Sequence, residues 1–187
     1  MACSLTSGRS VPCKSAFGGI KEVRFADFGS IQSVTIDANQ EGTIVPVGSP
    51  KYFSYKVKGN SSLETTVTSS RENGTTFYTQ TLTLTLPFLD AKTNSELYQL
   101  AISRPNAIVI DYYGNAFLCG LNNGMELTGG TIVTGAAAGD LSGFTITMEG
   151  MEENAPWFLK NTSIPDAAAA LINPTPAGTP PLAGVSS

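Results

Sequence analysis

Between Thr79 and Leu86 the chain reads TQTLTLTL, so that every odd-numbered position is a threonine and most even-numbered positions are leucines. Successive side chains of a β-strand point to opposite faces, and this stretch therefore predicts a strand with a leucine face and a threonine face. A helix would mix the two residue types around its surface. The fold must supply an apolar partner for the leucines, and the uncharged hydroxyl face needs an explanation of its own.

The dipeptide Asn73-Gly74 lies just before this strand and predicts a hairpin over Ser61–Leu86, because Asn-Gly suits both positive-φ positions of a type I′ turn. With this turn, Glu72 is expected opposite Thr75 and Leu63 opposite Leu84. The apolar face then contains Leu63, Val67, Tyr78, Leu82, Leu84 and Leu86. The polar face contains Ser62, Glu64, Thr66, Thr68, Ser70, Phe77, Thr79, Thr81, Thr83 and Thr85.

Most other segments also have the character of strands. Strands are predicted in IKEVRFADF, SIQSVTID, GTIVPV and YFSYKVK before the hairpin, and in AIVID, AFLCG and FTITMEG after it. The one helix predicted inside the core is DAKTNSELYQLAISRP. Thr93 and Glu96 are its expected capping box, and Leu97, Leu100 and Ala101 are its expected buried face.

The predicted fold class is mainly β, an antiparallel β-sandwich or barrel with one short α-helix, a long β-hairpin and extended terminal arms. Residues 1–19 are expected to form the N-terminal arm and residues 20–160 the β-sandwich domain. Residues 161–187 are rich in Pro and Gly and are expected to form a C-terminal arm, with a short helical segment capped by Asp166.

The composition excludes several functional classes. The chain of 187 residues has no histidine, which removes Ser-His-Asp and Cys-His catalysis and most transition-metal sites. Its net charge of −4 argues against a protein that grips nucleic-acid phosphates. We therefore expect no enzyme activity, no cofactor and no metal.

The sequence also bears on the cellular compartment. No signal peptide and no membrane span is evident, so we expect synthesis in a cytoplasm. There Cys3, Cys13 and Cys119 would stay reduced, and a Cys3–Cys13 disulfide formed after release is the alternative.

Three local patterns carry weaker functional hypotheses. GAAAGDLSG resembles a phosphate loop but lacks its Lys-Ser/Thr ending, and a tight strand connection is favoured; calcium binding by Asp140 and Ser142 is the other alternative. Neighbouring Glu149, Glu152 and Glu153 could pair in glycoside hydrolysis, although a solvated acidic rim is favoured. Five aromatic residues could form a platform for a sugar, although core and interface packing is favoured. They are Tyr52, Phe53, Tyr55, Tyr112 and Tyr113.

The polar hairpin face is harder to explain as an ordinary solvent surface. Exposed sheet faces usually carry Lys and Glu, which also protect strand edges from other chains. Here Glu64 is the one charge among ten positions, a pattern that favours association with another strand. The candidate interface or lumen residues are Glu64, Thr66, Thr68, Thr79, Thr81, Thr83 and Thr85.

The arrangement over about residues 20–159 resembles the tail tube proteins of long-tailed bacteriophages, whose fold is shared by related contractile injection machines. The resemblance lies in the long hairpin, the capped helix after it and the closing segment IVIDYYGNAFLCG…GGTIVTGAAAGDLSGFTITMEGMEENAPWF. It implies a virion protein assembled in the host cytoplasm, whose stacked hexameric rings place long strands around a channel. Its implied partners are other copies of itself and other phage tail proteins, while genomic DNA passes without specific binding.

Two groups of alternatives stay open at this stage. The chain could be another virion component, such as a tail terminator, a neck ring or a capsid decoration protein. A carbohydrate-binding β-sandwich that displays the tyrosines is the second alternative. High copy number would distinguish a tube protein from the other virion components, and glycan binding by a monomer would indicate the second alternative.

Overall fold

A computed structural model describes residues 17–57, 59–160 and 164–165 of the chain. Within these residues the protein consists of eleven strands in two sheets and one helix. The strands are β1 (Ile20–Ala26), β2 (Ile31–Ile36), β3 (Gly42–Pro46), β4 (Tyr52–Lys56), β5 (Ser62–Ser70), β6 (Thr75–Pro87), β7 (Asn106–Asp111), β8 (Ala116–Cys119), β9 (Glu126–Val133), β10 (Gly143–Glu152) and β11 (Trp157–Leu159), and the helix is α1 (Ala91–Ile102).

The two sheets differ in size and in strand direction. The seven-stranded sheet has the order β2-β3-β11-β8-β7-β1-β4 and is mixed, because β3 and β11 pair in parallel. The four-stranded sheet has the order β5-β6-β10-β9 and is antiparallel throughout. The predicted mainly β, sandwich-like fold is therefore confirmed, although the strands of the described residues do not close into a barrel.

The main core lies between the two sheets. The four-stranded sheet contributes the inward positions of its central strands, including Leu82, Leu84 and Phe144, each at most 2% exposed. Val23 and Val109 oppose them from the seven-stranded sheet. The alternation of TLTLTL thus buries every second residue of β6, as a half-buried strand requires.

A second apolar cluster covers the other face of the seven-stranded sheet. Strand β7 is buried on both sides, since Val109 belongs to the main core and Ile108 to the second cluster. Ile31 of β2 and Ile44 of β3 complete this cluster, and Ile164 packs against it. The central strands of the larger sheet therefore have an apolar cluster on each face, whereas most of β2 stays exposed.

The predicted hairpin is present, but its turn and its register differ from the prediction. A four-residue loop, 71–74, joins the strands, and Ser70 pairs with Thr75. Within the loop only Gly74 has a positive φ, of 64°. Leu63 consequently pairs with Leu82 and not with Leu84. Because side chains alternate with a period of two, this two-residue displacement keeps the predicted leucine and threonine faces intact.

The helix is also present, but its N-terminal cap is one that the sequence reading did not predict. The cap is Asp90, whose carboxylate accepts the N–H groups of Lys92 and Thr93, so the predicted Thr93–Glu96 capping box is wrong. Of the predicted buried face, Leu97 and Leu100 are buried but Ala101 is exposed. The short strand β11 was not predicted at all.

The predicted terminal arms fall mostly outside the described residues. This applies to residues 1–16 with Cys3 and Cys13, and to the helical segment predicted after Asp166. At the described end of the chain, the Arg24 guanidinium donates a hydrogen bond to the carbonyl oxygen of Pro165. Residues 164–165 therefore lie on the outer face of the seven-stranded sheet.

Candidate assembly surface

The outer face of the four-stranded sheet extends the threonine side of the hairpin across two more strands. Strand β10 pairs with β6 so that Thr145 stands beside Thr85 and Thr147 beside Thr83. On the far side of β10, Thr131 of β9 stands beside Thr145. Rows of hydroxyl side chains therefore cross the sheet. We call the outward side of β5, β6, β10 and β9 the threonine face.

The threonine face carries no positive charge of its own, because none of its four strands contains a lysine or an arginine. Its three charged strand residues are Glu64, Glu149 and Glu126, which stand in one cross-strand row with Thr81. Arg104, beyond the end of α1, forms an exposed ion pair with Glu126 at 2.8 Å. Exposed pairs of this kind add little stability, so the face is essentially a hydroxyl surface with a carboxylate row.

All seven residues predicted for the interface or lumen lie on this face. Glu64, Thr66 and Thr68 on β5 are exposed, whereas the four threonines of β6 are half-buried between neighbouring strands. The Thr85 hydroxyl donates to the Asn60 carbonyl oxygen at 2.9 Å. The other residues of the face were missed as site residues. The alternation in FTITMEG predicted the outward threonines of β10, but its pairing with β6 is not readable from local sequence.

The two edge strands of this sheet, β5 and β9, each pair with one neighbour only within the described residues. They are also displaced along the strand direction. Ser62, the first residue of β5, stands in the same row as Gly129, which is the middle of β9. Closing a sheet into a barrel requires strands that are tilted and staggered in register. The displacement of β5 relative to β9 is a stagger of this kind.

The glycine-rich loop between β9 and β10 is a strand connection, as favoured from the sequence. Asp140 accepts the N–H groups of Ala136 and Ala137 at 2.9 and 2.8 Å. These bonds, first from Ala137 and then from Ala136, hold the pKa of the Asp140 carboxyl below its usual value of 3.8. The loop N–H groups that could hold a phosphate are thus used internally, and a strand follows in place of a helix.

The three neighbouring glutamates do not form one group. Glu149 lies on the threonine face, whereas Glu152 points inward and is 5% exposed. The Glu152 carboxylate accepts the N–H groups of Asn122 and Asn123 at 2.9 and 2.8 Å. The predicted acidic rim is therefore wrong for Glu152. Because Glu149 and Glu152 lie on opposite faces of β10, they cannot act as a catalytic pair.

Polar contacts around Glu152 connect the two sheets. Gln80 of β6 accepts the N–H of Gly120, directly after β8, at 3.0 Å. Cys119 is fully buried beside this connection. Burial, together with the nearby negative charge of Glu152, raises the pKa of the Cys119 thiol far above its ordinary value. The thiol is therefore neutral and unreactive in the folded protein.

The five aromatic residues considered for sugar binding do not form a common platform. Tyr52 is buried in the second cluster, while Tyr55 contacts Phe25 in the main core, with ring centroids 5.3 Å apart. Burial and then the charge of Glu96 raise the pKa of Tyr55 to about 12. Tyr112 and Tyr113 are exposed at the turn between β7 and β8.

Two further observations concern the described residues alone. No group of three or more His, Cys, Asp or Glu side chains is placed to bind a metal ion there, and none of their helices is long and apolar enough to cross a membrane.

In comparisons with protein-family models, curated proteins and solved structures, no match to the chain was found.

Proposed function

We propose that this protein is a structural virion subunit that self-assembles into stacked hexameric rings, the tail tube through which phage DNA passes. The proposal rests on the resemblance of the hairpin, helix and closing segment to tail tube proteins. The structural observation that supports it best is the threonine face, which no described segment covers; its strands contain no lysine or arginine, and among the described residues it has a strand edge on each side.

Closing the sheet around a ring would resolve both unusual features of the surface. Edge strands present unpaired N–H and C=O groups that recruit other chains, and a closed ring removes such edges. The threonine face would line the channel. Hydroxyl groups and a row of carboxylates offer DNA phosphates no cationic partner, so DNA could pass without binding.

Electron microscopy of the purified full-length protein tests assembly directly. Stacked rings or hollow tubes are expected. Isolated rings that never stack would instead favour a terminator or neck component, and a monomer that persists at high concentration would contradict the proposal.

The double substitution T81K/T83K tests the channel. Both positions lie near the centre of the threonine face, and Thr83 pairs with Thr147. The variant should fold and assemble, and its tubes should retain DNA with an affinity that falls steeply with salt. Retained DNA should be protected from nuclease if it lies inside. The matched control T81S/T83S keeps the hydroxyls and should behave as the wild type; equal DNA retention by both variants would contradict a channel lining.

A further inference from the structure

Within the described residues, the sandwich is open along the side where β5 forms its edge. A groove of about 500 Å³ lies there between the inner side of the β5–β6 hairpin and the seven-stranded sheet. Val67 and Tyr78 line it on the hairpin side, and Phe117 and Phe158 line it on the side of the seven-stranded sheet. Val67 and Phe158 are each 56% exposed. Apolar surface of this kind, left open on a core side, usually indicates an interaction site.

Helix α1 lies at the opposite side of the sandwich, on the core side of edge strand β9. Leu97 and Leu100 join the main core, whereas Tyr98 and Ile102 are about two-thirds exposed. These two residues are four positions apart and so share one face of the helix, nearly opposite the buried leucines. Ile132 of β9, paired with the buried Phe144, is also exposed.

The strand directions decide how these two sides can meet. The four strands of the smaller sheet alternate in direction, so β5 and β9 run opposite to each other. In a head-to-tail ring, rotation places β9 of one copy beside β5 of the next, and the two strands are then antiparallel. Side chains on the core side of one sheet stay on the core side of the continued sheet. Helix α1 of one copy therefore faces the groove of its neighbour.

Charge presents no obstacle to this contact. Among the described residues, Asp111 is the one charged residue that lines the groove, and both of its carboxylate oxygens accept hydrogen bonds from Asn115, at 2.7 and 2.8 Å. On the exposed face of α1, the residues three and four positions from Tyr98 and Ile102 are Asn94, Ser95, Gln99 and Ala101, and none of them is charged. Closing the contact would therefore leave neither carboxylate oxygen of Asp111 without a hydrogen bond.

We propose that the Tyr98–Ile102 face of α1, together with Ile132, fills the groove beneath β5 of a neighbouring copy. This inference rests on the proposed self-assembly and adds to it the two surfaces that meet. A convex helix on one side and a concave groove on the other make the contact heterologous, which is the type of contact that generates rings.

Single-cysteine cross-linking tests this contact. Cys3 and Cys13 are replaced by serine in every protein, and Cys119 stays in the core. One variant then carries Val67→Cys in the groove and the other Ile102→Cys on the helix. A short bis-maleimide should give a cross-linked dimer in an equimolar mixture and none in either variant alone. Phe158→Cys is a second groove position in case Val67→Cys does not fold. In the control mixture, the groove variant is combined with Ile36→Cys, an exposed position on β2, in place of Ile102→Cys.

The outcomes separate this inference from the proposed function. Rings or tubes in the microscope without a cross-link in the mixture would overturn the helix-to-groove contact and leave assembly intact. Cross-linking of one variant with itself would indicate an isologous contact and overturn the inference as well. Absence of both particles and cross-links at high protein concentration would overturn the inference and the proposed function together.

Discussion

The two sheets of the sandwich treat their outer faces in opposite ways. The outer face of the seven-stranded sheet carries its own apolar cluster and a Glu22–Arg24 ion pair at 2.6 Å, and residues 164–165 pack onto it. The outer face of the four-stranded sheet has neither a cation on its strands nor a covering segment within the described residues. One sheet is completed by the chain itself. The outer face of the other has no such cover among these residues, and in the proposed ring it would line the channel.

The difference matters because threonine alone does not identify an interface. Threonine is common on exposed sheets owing to its β-propensity, so a threonine-rich face could be an ordinary surface. The larger sheet, however, has Lys21, Arg24 and Lys56 on its strands β1 and β4, in the same chain and the same solvent. The absence of such residues from the smaller sheet is therefore a property of that sheet and not of the overall composition.

The largest expected effect separates the two faces of β6. Leu84 is fully buried between the sheets, and Leu84→Ala should lower the free energy of unfolding by about 2–5 kcal/mol through lost burial and a cavity. The adjacent outward substitution Thr83→Ala should cost less than about 1 kcal/mol. Urea denaturation at concentrations where the protein is monomeric measures both. Similar losses for the two variants would mean that the outer face is already covered within one chain.

A smaller effect is expected at the polar connection between the sheets. Glu152→Ala removes the acceptor for the N–H groups of Asn122 and Asn123 and should cost about 1–3 kcal/mol. Glu152→Gln retains a carbonyl oxygen and should cost less. Thermal unfolding of the two variants measures the difference. If the glutamine variant lost as much as the alanine variant, the charge rather than the hydrogen bonds would be what connects the sheets.

The smallest effect concerns pH and the ion pair on the larger sheet. Burial raises the pKa of the Glu22 carboxyl, but hydrogen bonds from Arg24 and Ser54 and the charges of Arg24 and Lys56 outweigh it, so the pKa lies below the ordinary 4.5. A lowered carboxyl pKa stabilises the fold above that ordinary value, and the contribution is lost as the pH falls through the lower folded-state pKa.

Glu22→Gln should therefore lose less stability than the wild type when the pH falls from about 5 to about 3. Melting temperatures across this range measure the effect, and Glu72→Gln in the exposed hairpin loop is the matched control. Parallel pH profiles for the wild type and Glu22→Gln would show that the ion pair makes no pH-dependent contribution.

The sequence predicted the elements of the fold better than the way they pair. Alternation identified the leucine and threonine faces of β6 because burial of one face imposes a period of two. The register failed at the loop 71–74, since a four-residue loop and a two-residue turn preserve the same faces. Asp90 was overlooked as a cap because T-x-x-E is also a capping signal. Strand β11 is too short for any periodicity.

The candidate site was only half readable for a similar reason. The seven predicted residues are close in sequence, so local patterns place them on one face. Their extension through Thr131 and Thr145 depends on the pairing of β10 with β6 and β9, which no local signal encodes. The inward orientation of Glu152 depends on the same pairing. Likewise, the groove beneath β5 is formed by strands that are far apart in sequence.

The order of the strands has a consequence for biosynthesis. Strands β5 and β6 leave the ribosome as a local hairpin, whereas β10, which covers the other side of β6, is translated only after α1 and three further strands. Until then one edge of β6 has no partner strand, and nascent chains on one message would carry the same unpaired strand edge close together. A chaperone that shields this hairpin during translation would raise the yield of soluble subunit more than one that acts on the completed chain.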